Sequence, residues 1–392
     1  MSVKILKLED LAEVTAGQGA PQESSAFSET GNPFIRAGNL EELLVTNDEY
    51  ASCDLIDPTV AQKYKLKLFP KNTIVFAKSG MSATKGRIYS LMNDSYIVNH
   101  LAIAICNPNL IDHSFLKYYL VAFPPSRLIK DSAYPSISLN DIKQIEIPLP
   151  PIEEQHRIVK ILDQAQLLIE KRKQAIAYLD DYVKAVFLDM FGDPVSNPKG
   201  WEVKSIQAIS HKITDGEHLN PTFSEGGIPM IMAGHVLESG VDTKSARKVS
   251  SELGRVFRKK CNPEKNDLLL VSRGATIGRL CRVATSELFC LMGSVILIKP
   301  NHDIVNSAYL SELLKHPRMY SKLFNSSGSS AQQAIYLKDI KKLDCVIPPI
   351  EDQRDFEMIV REVDTIKQKM ESQLEELENN FQAQLQRAFR GE

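Results

Sequence analysis

The sequence predicts a mixed α/β (α+β) protein: two tandem globular domains and two long antiparallel coiled-coil helices, with the halves related by a pseudo-twofold. Three observations predict it. One 17-residue segment occurs twice. A sustained heptad pattern follows each copy. The stretch before each copy mixes short β-like apolar runs with helical periodicity.

The duplication comes first because it sets the domain limits. Residues 139–155 read LNDIKQIEIPLPPIEEQ and residues 337–353 read LKDIKKLDCVIPPIEDQ, at a constant offset of 198. Weaker echoes precede them in the same order. Ala37-Gly38-Asn39 matches Ala233-Gly234-His235, and Ala83-Thr84-Lys85-Gly86-Arg87 matches Ala275-Thr276-Ile277-Gly278-Arg279. The offset shifts between echoes, which places small insertions in loops. At 392 residues the chain exceeds one ordinary core. The expected organisation is a first domain over 1–150, a spacer helix over 151–191, a linker over 192–200, a second domain over 201–347 and a second spacer helix over 348–390. Gene duplication alone accounts for a repeat. A retained framework with a changed surface also suits two modules doing one job on two targets.

After Pro150-Pro151, the positions Ile158, Leu162, Ala165, Ile169, Arg172, Ile176, Leu179, Val183, Val186 and Met190 alternate by four and three. Only Arg172 interrupts the apolar seam. In the second copy the seam runs Phe356, Val360, Val363, Lys367, Met370, Leu374, Leu377, Phe381, Gln384 and Ala388, widened by Ile359, Ile366 and Leu385. Proline is tolerated just before a helix, and Gly192-Asp193-Pro194 ends the first one. Helices of about 35–40 residues span roughly 55–60 Å, and such a seam needs a partner. The other copy is the nearest one, although each helix packing on its own domain, or a dimer of the chain, would also cover it. Between the copies, residues 191–201 are rich in turn formers. Trp201, the only tryptophan, reads as an anchor seating the second domain on the first helix.

The globular segments carry β-like runs at Thr73–Ala77, Tyr96–Cys106, Leu268–Ser272 and Val295–Lys299, and helical patterns at Ser114–Ala122 and Ala308–Leu314. Net charge is −2, which by itself argues against a simple nucleic-acid binder. The distribution says more. Residues 1–150 are net −2, residues 192–345 net +6 and residues 346–392 net −5. The second globular segment is the one able to follow phosphates unaided. No apolar run reaches the roughly 20 residues a bilayer needs. The six cysteines show no CxxC and no zinc spacing. They read as reduced, buried thiols of a cytoplasmic protein with no metal site.

Two glycine-containing loops are the strongest polar candidates. The first, 78–87, offers Lys78, Ser79, Thr84, Lys85 and Arg87; its counterpart, 272–279, offers Arg273, Thr276 and Arg279. Small residues let the backbone approach phosphates or base edges, and arginine pairs bidentately with guanine. A turn required by the flanking strands fits the same residues. A second pair of loops precedes the repeated Leu-x-Asp-Ile. The one at 130–136 contains Ser136; the one at 325–333 contains Ser329, Gln332 and Gln333. They occupy one position and differ in content, as base-reading loops or simple linkers would. Glutamine can read adenine. His218 and His235 are further candidates. The chain lacks the phosphate-loop pattern, an amino-methyltransferase [Asp/Asn]-Pro-Pro-[Tyr/Phe] motif, His-Glu-x-x-His and Gly-x-Ser-x-Gly, so no catalysis is expected of it.

The PPIEEQ and PPIEDQ helix starts, within Ile147–Gln155 and Cys345–Gln353, and the Phe-Gly-Asp-Pro run at 191–194 carry a resemblance over nearly the whole chain. It resembles the specificity subunit of prokaryotic type I restriction–modification systems. The resemblance implies two target-recognition domains, each reading half of a bipartite site in double-stranded DNA. It also implies an antiparallel spacer whose seam residues (Ile158, Leu162, Ile169, Ile176, Leu179, Val183, Val360, Val363, Met370, Leu374, Leu377, Phe381) set the half-site separation. The implied partners are two adenine-N6 methyltransferase subunits and the translocating restriction subunits. S-adenosylmethionine, ATP and magnesium would belong to those partners, with no cofactor on this chain and no membrane. The other function class open to a duplicated, helix-spaced chain is a coiled-coil scaffold or adaptor with two ligand-binding domains.

Overall fold

The computed structural model describes residues 4–325 and 334–390. The chain divides into two compact units: Met1–Lys173 with Gln373–Glu392, and Gln174–Ser372. Each long helix therefore contributes one half to each unit.

In the first unit, β1 (Lys4–Lys7) lies antiparallel to β10 (Glu146–Leu149), with Lys4 opposite Leu149. A four-stranded antiparallel sheet has the order β2-β9-β6-β7, formed by Ala12–Ala16, Leu101–Cys106, Ile74–Ala77 and Ile88–Ser90. A second sheet has the order β4-β3-β8-β5, formed by Asp54–Ile56, Asn32–Ile35, Ser95–Ile97 and Leu68–Phe69. There β3 and β8 run parallel. The single β-like run over 96–106 is thus two strands in two sheets. The chain turns over Val98–His100, where the Leu101 amide donates to the Val98 carbonyl.

The continuous apolar runs follow from burial on both faces of the first sheet. Ile74, Phe76, Ala102 and Ala104 face the helix His113–Ala122 and the long helices. Val75, Ala77, Leu101 and Ile103 face the second sheet. A strand alternates its side chains between faces, so two buried faces remove the polar alternation.

The second unit repeats this plan. Here β11 (Glu202–Ser205) pairs with β21 (Asp344–Ile347), and Glu202 stands opposite Ile347. Both residues of that pair lie 198 positions beyond their first-unit equivalents. The main sheet has the order β12-β20-β17-β18, formed by Ser210–Asp215, Val295–Pro300, Leu268–Val271 and Leu280–Arg282. The second sheet is β16-β13-β19 (Lys248–Val249, Ile228–Ile231, Cys290–Leu291), with β13 and β19 parallel. A small hairpin, β14-β15 (Val236–Leu237, Gly240–Val241), is added.

The long helices cover Ile152–Phe191 and Ile350–Arg390, 40 and 41 residues, or about 60 Å each. Their repeated start has a physical purpose. Gln155 is buried; its Oε1 accepts from the Asp112 amide at 2.9 Å, and its Nε2 donates to the Leu110 and Pro150 carbonyls at 3.1 and 3.0 Å. Gln353 does the same with the Asn306 amide and the Ile304 and Pro348 carbonyls, at 2.8, 3.3 and 2.7 Å. Asp112 and Asn306 in turn cap the helices His113–Ala122 and Ser307–Lys315. One amide side chain satisfies three buried backbone groups and ties each long helix to its own module.

Within each unit the helix halves pair antiparallel. In the first, Ile158, Leu162 and Ile169 pack with Phe381, Leu385 and Phe389, and Lys173 meets Glu378 at 2.7 Å. In the second, Val183, Phe187 and Phe191 pack with Phe356, Val360 and Val363, and Lys367 meets Asp180 at 2.7 Å. The seam's polar interruptions are paired: Arg172 hydrogen-bonds Gln373, and Lys367 holds Asp180. Ile176, Leu179, Met370, Leu374 and Leu377 are half-buried, because two helices alone cannot enclose a seam.

The heptad register predicted for the last turns needs correction. After Val183 the buried positions are Phe187 and Phe191, not Val186 and Met190. After Phe381 they are Leu385 and Phe389, not Gln384 and Ala388. Spacing by four replaces the four–three alternation where each helix end meets a module helix. Phe389 contacts Phe115 at a centroid distance of 5.1 Å, and Phe191 contacts Tyr309 at 4.8 Å, both edge-on. Trp201 anchors the second module as expected: its Nε1–H donates to the Phe191 carbonyl at 3.0 Å.

Candidate nucleic-acid interface

The 78–87 loop leaves β6 through Lys78, whose amide donates to the His100 carbonyl at 2.9 Å while its carbonyl accepts from the Ile137 amide at 2.8 Å. Ser272 does the same after β17: its amide donates to the Ser294 carbonyl, and its carbonyl accepts from the Ile335 amide, both at 2.9 Å. The next two residues are Ser79-Gly80 in one unit and Arg273-Gly274 in the other. Gly80 and Gly274 have φ of +74° and +99°, where a side chain would be strained. The glycine-containing loop is therefore a required turn in both units. The residue before the glycine is a half-buried serine in one and an exposed arginine in the other.

Around this turn the first unit gathers Ser79, Ser136 and His100. Ser79 forms an antiparallel bridge with Ser136, and its Oγ lies 2.8 Å from His100 Nδ1. The sequence pattern does not single out His100, and only its place beside the turn marks it. Thr84 donates to the Met81 carbonyl at 2.8 Å inside a 3-10 turn, Met81–Lys85. Lys85 is exposed. Arg87 is ion-paired with Glu41 at 2.6 Å.

In the second unit, Thr276 donates to the Ala233 carbonyl at 3.4 Å and Arg279 to the Val236 carbonyl at 3.3 Å. His235 Nδ1 accepts from the Met232 amide at 3.1 Å. Asn39 has the same task in the first unit, accepting from the Arg36 amide at 2.8 Å. This shared local bond explains the Ala-Gly-Asn and Ala-Gly-His echo. Thr276, Arg279 and His235 thus come together, each with an internal partner. Arg273 is exposed. His218 stands apart, its Nε2 2.7 Å from Asp215 and its ring packed over Gly293. Ser329, Gln332 and Gln333 lie outside the described residues.

The chemistry available is recognition by hydrogen bonds and charge. Burial pushes the thiols of Cys53, Cys106, Cys261 and Cys281 up to about 12, which leaves almost no thiolate at neutral pH. Among the described residues, no three His, Cys, Asp or Glu side chains are grouped to hold a metal, and no helix is long and apolar enough to cross a membrane.

Two α/β modules, each clamped to a long helix by a buried glutamine and each presenting a different residue at a shared turn, define a duplicated recognition protein with pairing helices. The family follows from comparison with known proteins. Residues 2–178 and 198–379 match the type I restriction modification DNA specificity domain, and the chain belongs to that family. It is 25% identical over 286 residues to the type I restriction enzyme EcoBI specificity subunit of Escherichia coli, a match covering 65% of this chain and 60% of that subunit. It is 23% identical to the putative MjaX specificity subunit of Methanocaldococcus jannaschii, over 95% of this chain and 90% of that one. The fold is that of the S subunit of a type I restriction–modification system from M. genitalium, with a TM-score of 0.56, 16% identity, and coverage of 99% and 96%.

Proposed function

We propose that this chain is the DNA specificity subunit of a type I restriction–modification complex, and that each module reads one half of a bipartite duplex site. The observation that carries the reading is the pair of equivalent turns. The same backbone bonds hold Lys78 and Ser272, yet Ser79 follows the first and Arg273 the second. A shared scaffold with different side chains at the equivalent turn position is what two readers of different base sequences require.

The proposed modules are 1–150 and 201–347, joined by the linker 192–200. The long helices, 151–191 and 348–390, act as the ruler. About 60 Å of helix corresponds to somewhat under two turns of duplex at about 34 Å per turn. Base or phosphate contacts are assigned to Lys78, Ser79, Lys85, Ser136 and Arg273, together with Ser329, Gln332 and Gln333. Thr84, Arg87, Thr276, Arg279, His235 and His218 first hold their loops, and a contact from them would use the atoms left over. The methyltransferase subunits, two in number, dock on the long helices. Ile161, Leu167 and Leu168 on one half of the first helix and Tyr178, Tyr182 and Leu188 on its other half are exposed apolar side chains that a partner would cover. Catalysis, its cofactors and restriction belong to the partner subunits.

Co-expression with the methyltransferase and mapping of N6-methyladenine in the host genome tests this. The expected result is one motif with two specific halves and a fixed gap. A single uninterrupted motif, or methylation without sequence preference, would sink the reading.

A further inference from the structure

The +6 charge of residues 192–345 has a single location. Residues 244–260 hold seven basic residues and one acidic residue, also +6, so the rest of that segment is neutral. This stretch forms β16 and the helix Ser251–Lys260, which the Ser250 hydroxyl caps by accepting from the Leu253 amide. The helix is pressed onto β13. A Cβ on Gly254 would meet Ile228 Cδ1 at 2.8 Å, and Phe257 is buried beside Ile228, Met230 and Val249.

With that face fixed, the cations divide into two groups. Arg258 donates inward to the Phe289 carbonyl at 2.8 Å. Lys260 donates to the Gly216 carbonyl at 3.0 Å and lies 3.7 Å from Asp215, the carboxylate that also holds His218. Lys244, Arg247, Lys248, Arg255 and Lys259 are exposed, and none has an ion pair among the described residues. Arg255 and Lys259 are four apart and share one helix ridge. The Arg247 guanidinium is stacked 3.6 Å from the Phe223 ring centroid, which leaves its edge free to donate. Ordinary protein surfaces intersperse the two signs of charge; here residues 244–260 expose a single carboxylate, Glu252, against these five cations.

The first module repeats the feature in the same place. β4, like β16, flanks the parallel pair of its sheet and is followed by a capped helix, Pro58–Lys63. Lys63, Lys65, Lys67 and Lys71 follow within nine residues with no acid among them, in a module that is net −2. Lys63, Lys65 and Lys71 are exposed, and Lys67 reaches Glu13 at 3.2 Å.

We propose that this helix-and-strand element is the module's phosphate grip: it holds the duplex backbone independently of sequence, while the turns read bases. The inference rests on the DNA-binding reading above. Backbone phosphates are a partner that both modules would meet in the same way, which accounts for a like-signed patch at one fold position in two otherwise diverged copies.

The test uses the co-purified complex of chain and methyltransferase with a random-sequence duplex of about 40 base pairs, titrated between about 50 and 200 mM salt. The variant combines Arg247→Gln, Lys248→Gln, Arg255→Gln and Lys259→Gln. A control neutralises four exposed lysines elsewhere, Lys160, Lys265, Lys342 and Lys369. Every phosphate left without its cation lowers the slope of log affinity against log salt by about 0.9. The expected result is a slope shallower by about 2–4 in the variant and unchanged in the control, with the same adenines methylated in cells. A slope unchanged in the variant, or lowered equally in the control, overturns the proposal. So does loss of the methyltransferase from the variant complex with an unchanged slope, which would make the patch a protein-docking surface. Failure of the wild-type complex to methylate any specific sequence would instead sink the DNA-specificity reading.

Discussion

The two modules differ least where they meet the long helices and most where they face outward. The 198-residue offset holds from the β1–β10 and β11–β21 pairings through Gln155 and Gln353 to the ends of the helices, where Phe191 corresponds to Phe389. Away from the helices the copies diverge: a β14-β15 hairpin and a ten-residue helix in the second, a β5 edge strand in the first. The contrast teaches that the helix junction is the constrained part. There a single glutamine in each copy satisfies three backbone groups.

If that is right, equivalent junction substitutions should cost the same in both copies. The largest effect belongs to the aromatic ends. Phe191→Ala and Phe389→Ala each empty a buried site among aromatic rings and should each cost about 3–5 kcal/mol in chemical denaturation. A cost confined to one of them would break the equivalence. Gln155→Leu and Gln353→Leu come next. Each leaves a buried amide N–H and two carbonyls without partners, for about 2–3 kcal/mol, and a loss below about 0.5 kcal/mol would remove the clamp from the account.

The linker sharpens the comparison, because the second module has a junction element of its own. Asp193 Oδ1 accepts from the Val195 and Ser196 amides, each at 2.9 Å, and Oδ2 accepts from Arg318 at 2.7 Å. Burial raises its pKa, but the Ser196 amide, Arg318 and the Val195 amide outweigh that and hold it well below the ordinary carboxylate value of 3.8. Its contribution is therefore complete above that value and is lost as pH falls through the depressed one. Asp193→Asn should cost about 1–2 kcal/mol at neutral pH, and the difference from wild type should shrink in acid. A difference constant down to strongly acidic pH would contradict the role given to Asp193.

The smallest stability effect should come with the largest effect on recognition. Arg273→Ala should change stability by no more than about 0.5 kcal/mol, yet weaken binding to the recognised site by about 1–3 kcal/mol. Arg279→Met should instead cost about 1 kcal/mol of stability through its bond to the Val236 carbonyl. Reversed outcomes would exchange the roles of the two arginines.

The sequence made the constrained part legible and left the rest obscure, for one reason. Helix periodicity and the 139–155 and 337–353 match are local signals, so the long helices and their extents could be read from the chain alone. Strand order could not, because it depends on pairings such as Phe34 with Tyr96, 62 positions apart. The heptad rule failed at Phe187, Phe191, Leu385 and Phe389, where the partner changes from a helix seam to a module helix. The candidate turns were visible as glycine-containing loops. That Thr276, Arg279 and His235 have internal partners, or that Ser79 faces His100, required the fold. The helix Ser251–Lys260 escaped notice because only its burial on Ile228 sorts its cations into inward and outward groups.

The central claim is that each module reads its own half of the site. It is tested most directly by replacing residues 1–150 with the corresponding domain of another specificity subunit and mapping N6-methyladenine in cells that also express the methyltransferase. The account predicts a new sequence in one half of the methylated motif, with the other half and the gap unchanged. A change in both halves, or in neither, would contradict it.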